Sequence, residues 1–188
     1  LLGSIKGGER PDVYHTCDAS FMNGVEELFG AADPVSKTDI MLLTQPGNPH
    51  GLNRLEDLVK PGIQVGLCNE DQSTLGYMTG AMLREKGIYD GVQKNVIVNT
   101  PTADLLVAQV TVGKLDAAVV YRANTLAVGD KAEVLRLPDD NANATQTYAV
   151  AQQTKYPHLL ERLHEAIRSA NSKAQFESSG FEYLEKKL

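Results

Sequence analysis

The sequence predicts an α/β fold built on a mostly parallel sheet flanked by helices, and three observations predict it. Strand-like and helix-like stretches alternate along the chain with short connections. Runs such as "GIQVGLC" and "DAAVVY" carry almost no polar alternation, the pattern of parallel strands covered on both faces. No internal repeat, low-complexity tract or long linker interrupts the order.

Taken in turn, "PDVYHTCD" reads as a short strand, and Asp18 is placed to cap a helix over "ASFMNGVEELF", where Phe21, Val25, Leu28 and Phe29 recur at helical spacing. "DIMLLTQ" is a strongly apolar strand followed by the turn residues "PGNPHG". "LNRLEDLV" makes one or two helical turns before the strand "GIQVGLC". A helix over "LGYMTGAMLREKGIY" presents Leu75, Met78, Met82 and Leu83 and stops at Gly87. "NVIVN" is a strand, "TADLLVAQVTVG" a helix, and "DAAVVY", "AEVLRLP" and "QTYAVAQQ" are strands. Pro157 opens one or two C-terminal helices from a favourable first position.

Composition narrows the function classes. The 188 residues are 42% hydrophobic and 22% charged, a globular balance. A formal charge of −6, without a Lys/Arg cluster to neutralise phosphates, argues against nucleic acid. No apolar run approaches the ~20 residues of a membrane-spanning helix. Two cysteines, Cys17 and Cys68, are too few for a disulfide scaffold and are read as half-buried free thiols. The start, "LLGSIKGGERPDVYHTC", enters at what looks like the end of a helix stopped by "GG", and predicts further chain upstream.

Signatures of catalysis are missing: the chain has no G-x-S-x-G, H-E-x-x-H, Walker loop or G-x-G-x-x-G. His15 and Cys17 share a strand face, but nothing nearby supplies an orienter or an oxyanion hole. His158 and His164 lie six apart on one helix, on roughly opposite faces, which disfavours a joint metal site. Glu26–Glu27 reads as a solvated face. More informative are two strand-to-helix turns. In "NEDQSTLG" the helix-start amides lack intrahelical acceptors and, with the helix dipole, favour an anion. In "NTPTADLL", Pro101 and Thr102 open a second helix directly after a strand, and the strand ending in Tyr121 can deliver a phenol nearby. Ordinary capping accounts for either turn alone. Together, at the carboxyl ends of neighbouring strands, they point at one crevice.

Over its whole length the chain resembles the bacterial periplasmic molybdate-binding proteins, substrate-binding components of ABC importers. The residues that carry the resemblance are "IKGGERPDVYHTCD", "LLTQPGNPHGLNRLEDLVKPGIQVGLCNED", "STLGYMTGAMLREKGIYDGV", "VTVGKLDAAVVYRAN" and "SKAQFESSGF". It implies a two-lobed type II periplasmic-binding-protein fold, each lobe a mostly parallel sheet flanked by helices, with the ligand cleft between the lobes. Residues 1–44 and 147–188 would form lobe 1, lacking its N-terminal strand and helix start, and residues 45–146 lobe 2. In that family a tetrahedral oxyanion is held by neutral hydrogen-bond donors, without a cofactor, counter-charge or metal. Carried over, the donors are the Tyr121 hydroxyl, the Leu75 amide within Thr74–Leu75–Gly76, and the Ala103 amide after Thr102.

This sequence departs from the pattern in several places. The family's Pro-Ala-Gly start is Thr74, Leu75 and Gly76, and its Thr-Asp after the tyrosine is Ala123 and Asn124. Two serine donors expected of lobe 1 belong to segments preceding Leu1. The reading is a non-enzymatic, monomeric, periplasmic or otherwise extracytoplasmic protein that passes molybdate or tungstate to an ABC transporter membrane permease. An upstream lipobox would make it a membrane-anchored lipoprotein. Three alternatives stand beside it: the same fold binding sulfate, phosphate or an organic ligand; a ligand-sensing regulatory domain, for which an upstream helix-turn-helix would speak; and an enzyme using His15 and Cys17.

Overall fold

Burial follows the apolar runs of the chain. In the computed structural model, which describes residues 1–185, all four positions of "VGLC" and the first four of "AAVVY" are buried. The elements in chain order are α1 (Leu2–Lys6), β1 (Val13–Thr16), β2 (Asp33–Thr44), β3 (Val65–Cys68), α2 (Thr74–Glu85), α3 (Tyr89–Gln93) and β4 (Val96–Thr100). There follow α4 (Ala103–Thr111), β5 (Ala117–Tyr121), β6 (Glu133–Arg136), β7 (Asn143–Val150), α5 (Pro157–Ile167), α6 (Ala170–Ser178) and β8 (Glu182–Tyr183). Two compact units emerge, residues 1–38 with 144–188 and residues 39–143. The division falls within β2 and at the start of β7, earlier on both than the 44/45 and 146/147 boundaries expected; the last three residues assigned to lobe 1 lie outside the described residues.

In the unit of residues 39–143, β3 pairs in parallel with β4 on one side and with β5 on the other. The helices α2 and α3 carry the chain from β3 to β4, and α4 carries it on to β5. Such crossovers return the chain in the same direction, which makes the three strands parallel. Next to β5, β2 runs antiparallel, from Ile40 opposite Tyr121 to Thr44 opposite Ala117, and β6 pairs antiparallel with the other edge of β2. Leu42, Leu43, Leu58, Val65, Leu83 and Leu106 form the centre of its core, each with essentially no exposed surface.

The unit of residues 1–38 and 144–188 holds smaller apolar clusters, one of Ile5, Tyr14, Met22, Val25, Phe29 and Ala149, another around Val35, Tyr148 and Tyr183. β1 pairs antiparallel with β7, Val13 opposite Val150, and Ser36 of β2 pairs antiparallel with Tyr183 of β8. The α/β class therefore holds in a mixed sheet: β3 is parallel to β4 and β5, while β2 is antiparallel to β5, β6 and β8, and β1 to β7. An unbroken apolar run reads the same in either direction, so "DIMLLTQ" carried no signal that β2 runs opposite to β5.

Local differences have local causes. Asp18 does cap, its Oδ1 accepting from the Ser20 amide at 3.0 Å, while its Oδ2 accepts the Thr145 amide at 3.0 Å. What it caps is not the predicted α-helix but a 3-10 turn over residues 19–22, with a second over 26–28. Between them Gly24 adopts φ +82°, which no helix continues through. "LNRLEDLV" likewise forms a 3-10 turn, Leu55–Val59. Cys17 is exposed and Cys68 buried, so the two thiols are not alike, as half-burial of both would have had it.

Candidate functional site

Three chain segments of the 39–143 unit end side by side. β5, β3 and β4 are adjacent parallel strands, so Tyr121, the turn into α2 and the turn into α4 all leave the sheet at its carboxyl edge. The two turns are tied directly, the Asn69 amide donating to the Thr100 carbonyl at 2.8 Å. Beyond β5, the Asn124 Nδ2 donates to Asp104 Oδ1 of the first turn of α4, also at 2.8 Å.

Neither helix start is capped by a side chain of its own N-cap residue. Ser73 and Thr102 occupy the capping positions with extended backbones, yet neither hydroxyl bonds to its own helix. Side-chain oxygens at such positions ordinarily take the amides two or three residues on. Here the first-turn amides of α2 (Thr74, Leu75, Gly76) and of α4 (Ala103, Asp104) receive no side-chain cap, and both turns carry the positive end of a helix dipole. The Thr100 hydroxyl instead donates to the Thr102 carbonyl at 2.8 Å, fixing the bend before α4.

The six residues assigned from sequence divide by role. Thr74 is half-buried at the first position of α2. Leu75 turns its side chain into the core and keeps 1% of its surface, so the bulk that replaces the family's alanine points away from the turn. Gly76 is needed for space: a Cβ there would press on the Asn69 carbonyl and lie 2.6 Å from the Cys68 carbonyl oxygen. Thr102 is exposed, Ala103 is buried directly after it, and Tyr121 is half-buried at the end of β5 with its hydroxyl oxygen shielded from solvent.

The charged groups nearest these donors are Glu70 and Asp104 at the two turns and Arg122, exposed directly after Tyr121. Burial pushes the Cys68 thiol up, against hydrogen bonds from Ser73 and Thr100, and the Asp104 carboxylate pushes the same way, so the thiol stays protonated. Asp104 completes its charge-assisted contact with Asn124. Glu70, in the turn itself, is gripped by Arg84 through paired contacts of 2.8 and 3.1 Å and by the Tyr89 hydroxyl. Neither Glu70 nor the Asn124–Asp104 pair was singled out from sequence. Their partners lie fourteen to twenty residues away along the chain, beyond any local pattern.

Elsewhere the chemistry thins out. His15 and Cys17 both keep an exposed surface, and neighbouring groups that partly desolvate the His15 ring lower its pKa. Among the described residues no group of three or more His, Cys, Asp or Glu side chains is arranged to hold a metal ion. His158 sits near Glu161 in solvent, whereas His164 contacts Asp33 at 2.6 Å and stacks on Tyr148.

A family model described as bacterial extracellular solute-binding protein matches residues 1–182. Over 186 residues the chain is 24% identical to the molybdate-binding protein ModA of Mycobacterium tuberculosis, spanning 96% of this chain and 69% of that protein. Among solved structures, the periplasmic molybdate-binding protein of Azotobacter vinelandii superposes with a TM-score of 0.70 at 15% identity, covering 99% of this chain and 83% of that one. The sulfate-binding protein SubI of Mycobacterium tuberculosis superposes with a TM-score of 0.60 at 14% identity, covering 96% and 71%.

Proposed function

Since the chain belongs to the bacterial extracellular solute-binding proteins, we propose that it captures a tetrahedral oxyanion, molybdate or tungstate, on neutral donors of the 39–143 unit. The observation that carries this reading is the pair of uncapped helix starts on adjacent parallel strands, with Tyr121 closing the neighbouring strand. Uncapped amides at a helix start are ready-made donors to an anion. The Leu75 and Ala103 amides and the Tyr121 hydroxyl are the donors, supported by the turns Thr74–Gly76 and Thr102–Ala103.

Electrostatics supports donors of this kind rather than a cationic clamp. A chain of net charge −6 repels a dianion at long range, so affinity comes from short, directed contacts. Each hydrogen bond to a charged acceptor contributes about 1.5–3 kcal/mol. Neutral donors need no metal, and a chelator should leave binding unchanged.

The protein then acts outside the cytoplasm, hands its anion to the membrane permease of an ABC importer, and performs no chemistry. The likeness to a molybdate-binding relative in sequence favours molybdate over sulfate, whose binding protein shares the fold alone. Calorimetric titration of the full-length protein with molybdate, tungstate, sulfate and phosphate tests the reading. Molybdate and tungstate should bind most tightly; the absence of heat with all four would overturn it, and a preference for sulfate would reassign the ligand.

A further inference from the structure

The turn that carries the α2 donors is acidic, with Glu70 four residues before Thr74, an arrangement that should disfavour an anion. The structure shows where that charge goes. Glu70 folds back along α2, and its carboxylate lies over Gly80, where a Cβ would come within 2.5 Å of the Glu70 Cδ. Arg84, one turn further on, grips both carboxylate oxygens at 2.8 and 3.1 Å. The Tyr89 hydroxyl donates to the same group, and the Arg84 guanidinium rests 4.0 Å from the centre of the Tyr89 ring. Burial would raise the Glu70 pKa, but the bonds from Arg84 and Tyr89 hold it below the ordinary range, so the group stays ionised and compensated.

We propose that Glu70 is the positioning residue of the oxyanion turn: gripped by Arg84 and Tyr89 over Gly80, it staples the 69–73 loop to the body of α2 and fixes the direction of the Thr74–Gly76 amides. The rest of the loop is anchored at its other end. The Asn69 amide reaches the Thr100 carbonyl, Asn69 Oδ1 accepts from the Asp71 amide at 2.9 Å, and the Asn69 carbonyl accepts from the Ser73 amide at 3.0 Å. These anchors and the staple tie the loop down at both ends. A preformed turn binds without an ordering cost at the moment of capture. Pairing with Arg84 also compensates the Glu70 carboxylate, while Asp71, the other acidic residue of the loop, stays in solvent.

This role rests on the oxyanion reading, but its test does not depend on it. In the full-length, ligand-free protein, amide hydrogen exchange is followed at Ser73 and Tyr77, whose bonds to the Asn69 and Ser73 carbonyls bracket the three donors, and at Val119 and Val120 of the buried strand β5. Glu70→Ala should speed exchange at Ser73 and Tyr77 at least tenfold and leave Val119 and Val120 unchanged. Gly80→Ala, which keeps every partner but fills the space under the carboxylate, should do the same at Ser73, although alanine favours the helix itself. In both variants molybdate affinity should fall about tenfold. Unchanged exchange at Ser73, or equal acceleration at Val119 and Val120, would overturn the staple. A native protein that binds none of the four anions would defeat the oxyanion reading alone, and the exchange result would still decide the staple.

Discussion

Asn124 donates through Nδ2 to Asp104 Oδ1 at 2.8 Å, joining the turn after β5 to the first turn of α4. The position is an aspartate in the family that the sequence resembles, and here an amide complements a carboxylate instead. Asn124→Asp would set two carboxylates within hydrogen-bonding distance. One of them should then titrate well above the ordinary range, and the variant should lose about 1 kcal/mol at pH 7, a modest figure because the pair is solvent-accessible. Acidification to pH 5 should recover part of that loss, since a protonated carboxyl can donate where the amide did. Chemical denaturation at the two pH values measures it.

Tyr121→Phe removes a hydroxyl and nothing else from the end of β5. Oxyanion affinity should weaken by about 1–3 kcal/mol. An unaltered titration curve would remove Tyr121 from the site.

Gly76→Ala forces a methyl group against the Asn69 and Cys68 carbonyls, which are backbone and cannot rotate away. The start of α2 must shift from β3, costing about 1–3 kcal/mol of stability and displacing the Leu75 amide. Thermal unfolding and anion titration should both register the change.

Asp33, in the other unit, is expected to govern part of the acid response. Burial would raise its pKa, but hydrogen bonds from Arg168 and His164 hold it below the usual carboxylate value. A carboxylate depressed in the folded state binds protons more readily when unfolded. Its contribution is therefore present above the unfolded pKa and is lost as pH falls through the folded one, from about pH 4 downward. Asp33→Asn should lower stability at pH 7 and flatten the stability curve below pH 4; an unchanged acid limb would contradict the assignment.

Much of the candidate site was legible because its signals are local. Strand ends at Cys68 and Thr100 and helix starts at Thr74 and Ala103 follow from where apolar runs give way to Ser, Thr and Pro, and those transitions lie within a few residues of one another. Other features escaped for stated reasons. The run around Phe21 and Val25 has helical spacing, but one glycine with positive φ splits it. The first half of β2, from Asp33, is too polar and proline-bearing to read as a strand, and its partner in β8, Tyr183 opposite Ser36, lies 147 residues later. Leu75 stands where the family pattern has alanine, and only packing shows that its side chain faces the core.

By itself, then, the sequence determined the α/β alternation, the two helix starts that could receive an anion and the tyrosine that accompanies them, because spacing and capping chemistry act over a turn or two of chain. The tertiary structure decided that β2 runs antiparallel to β5, that Ser73 and Thr102 leave their helices uncapped, and that Arg84 and Tyr89 hold Glu70 away along α2. Strand direction, hydroxyl orientation and charge pairing depend on groups brought together from distant parts of the chain, where folding rather than local preference chooses the partner.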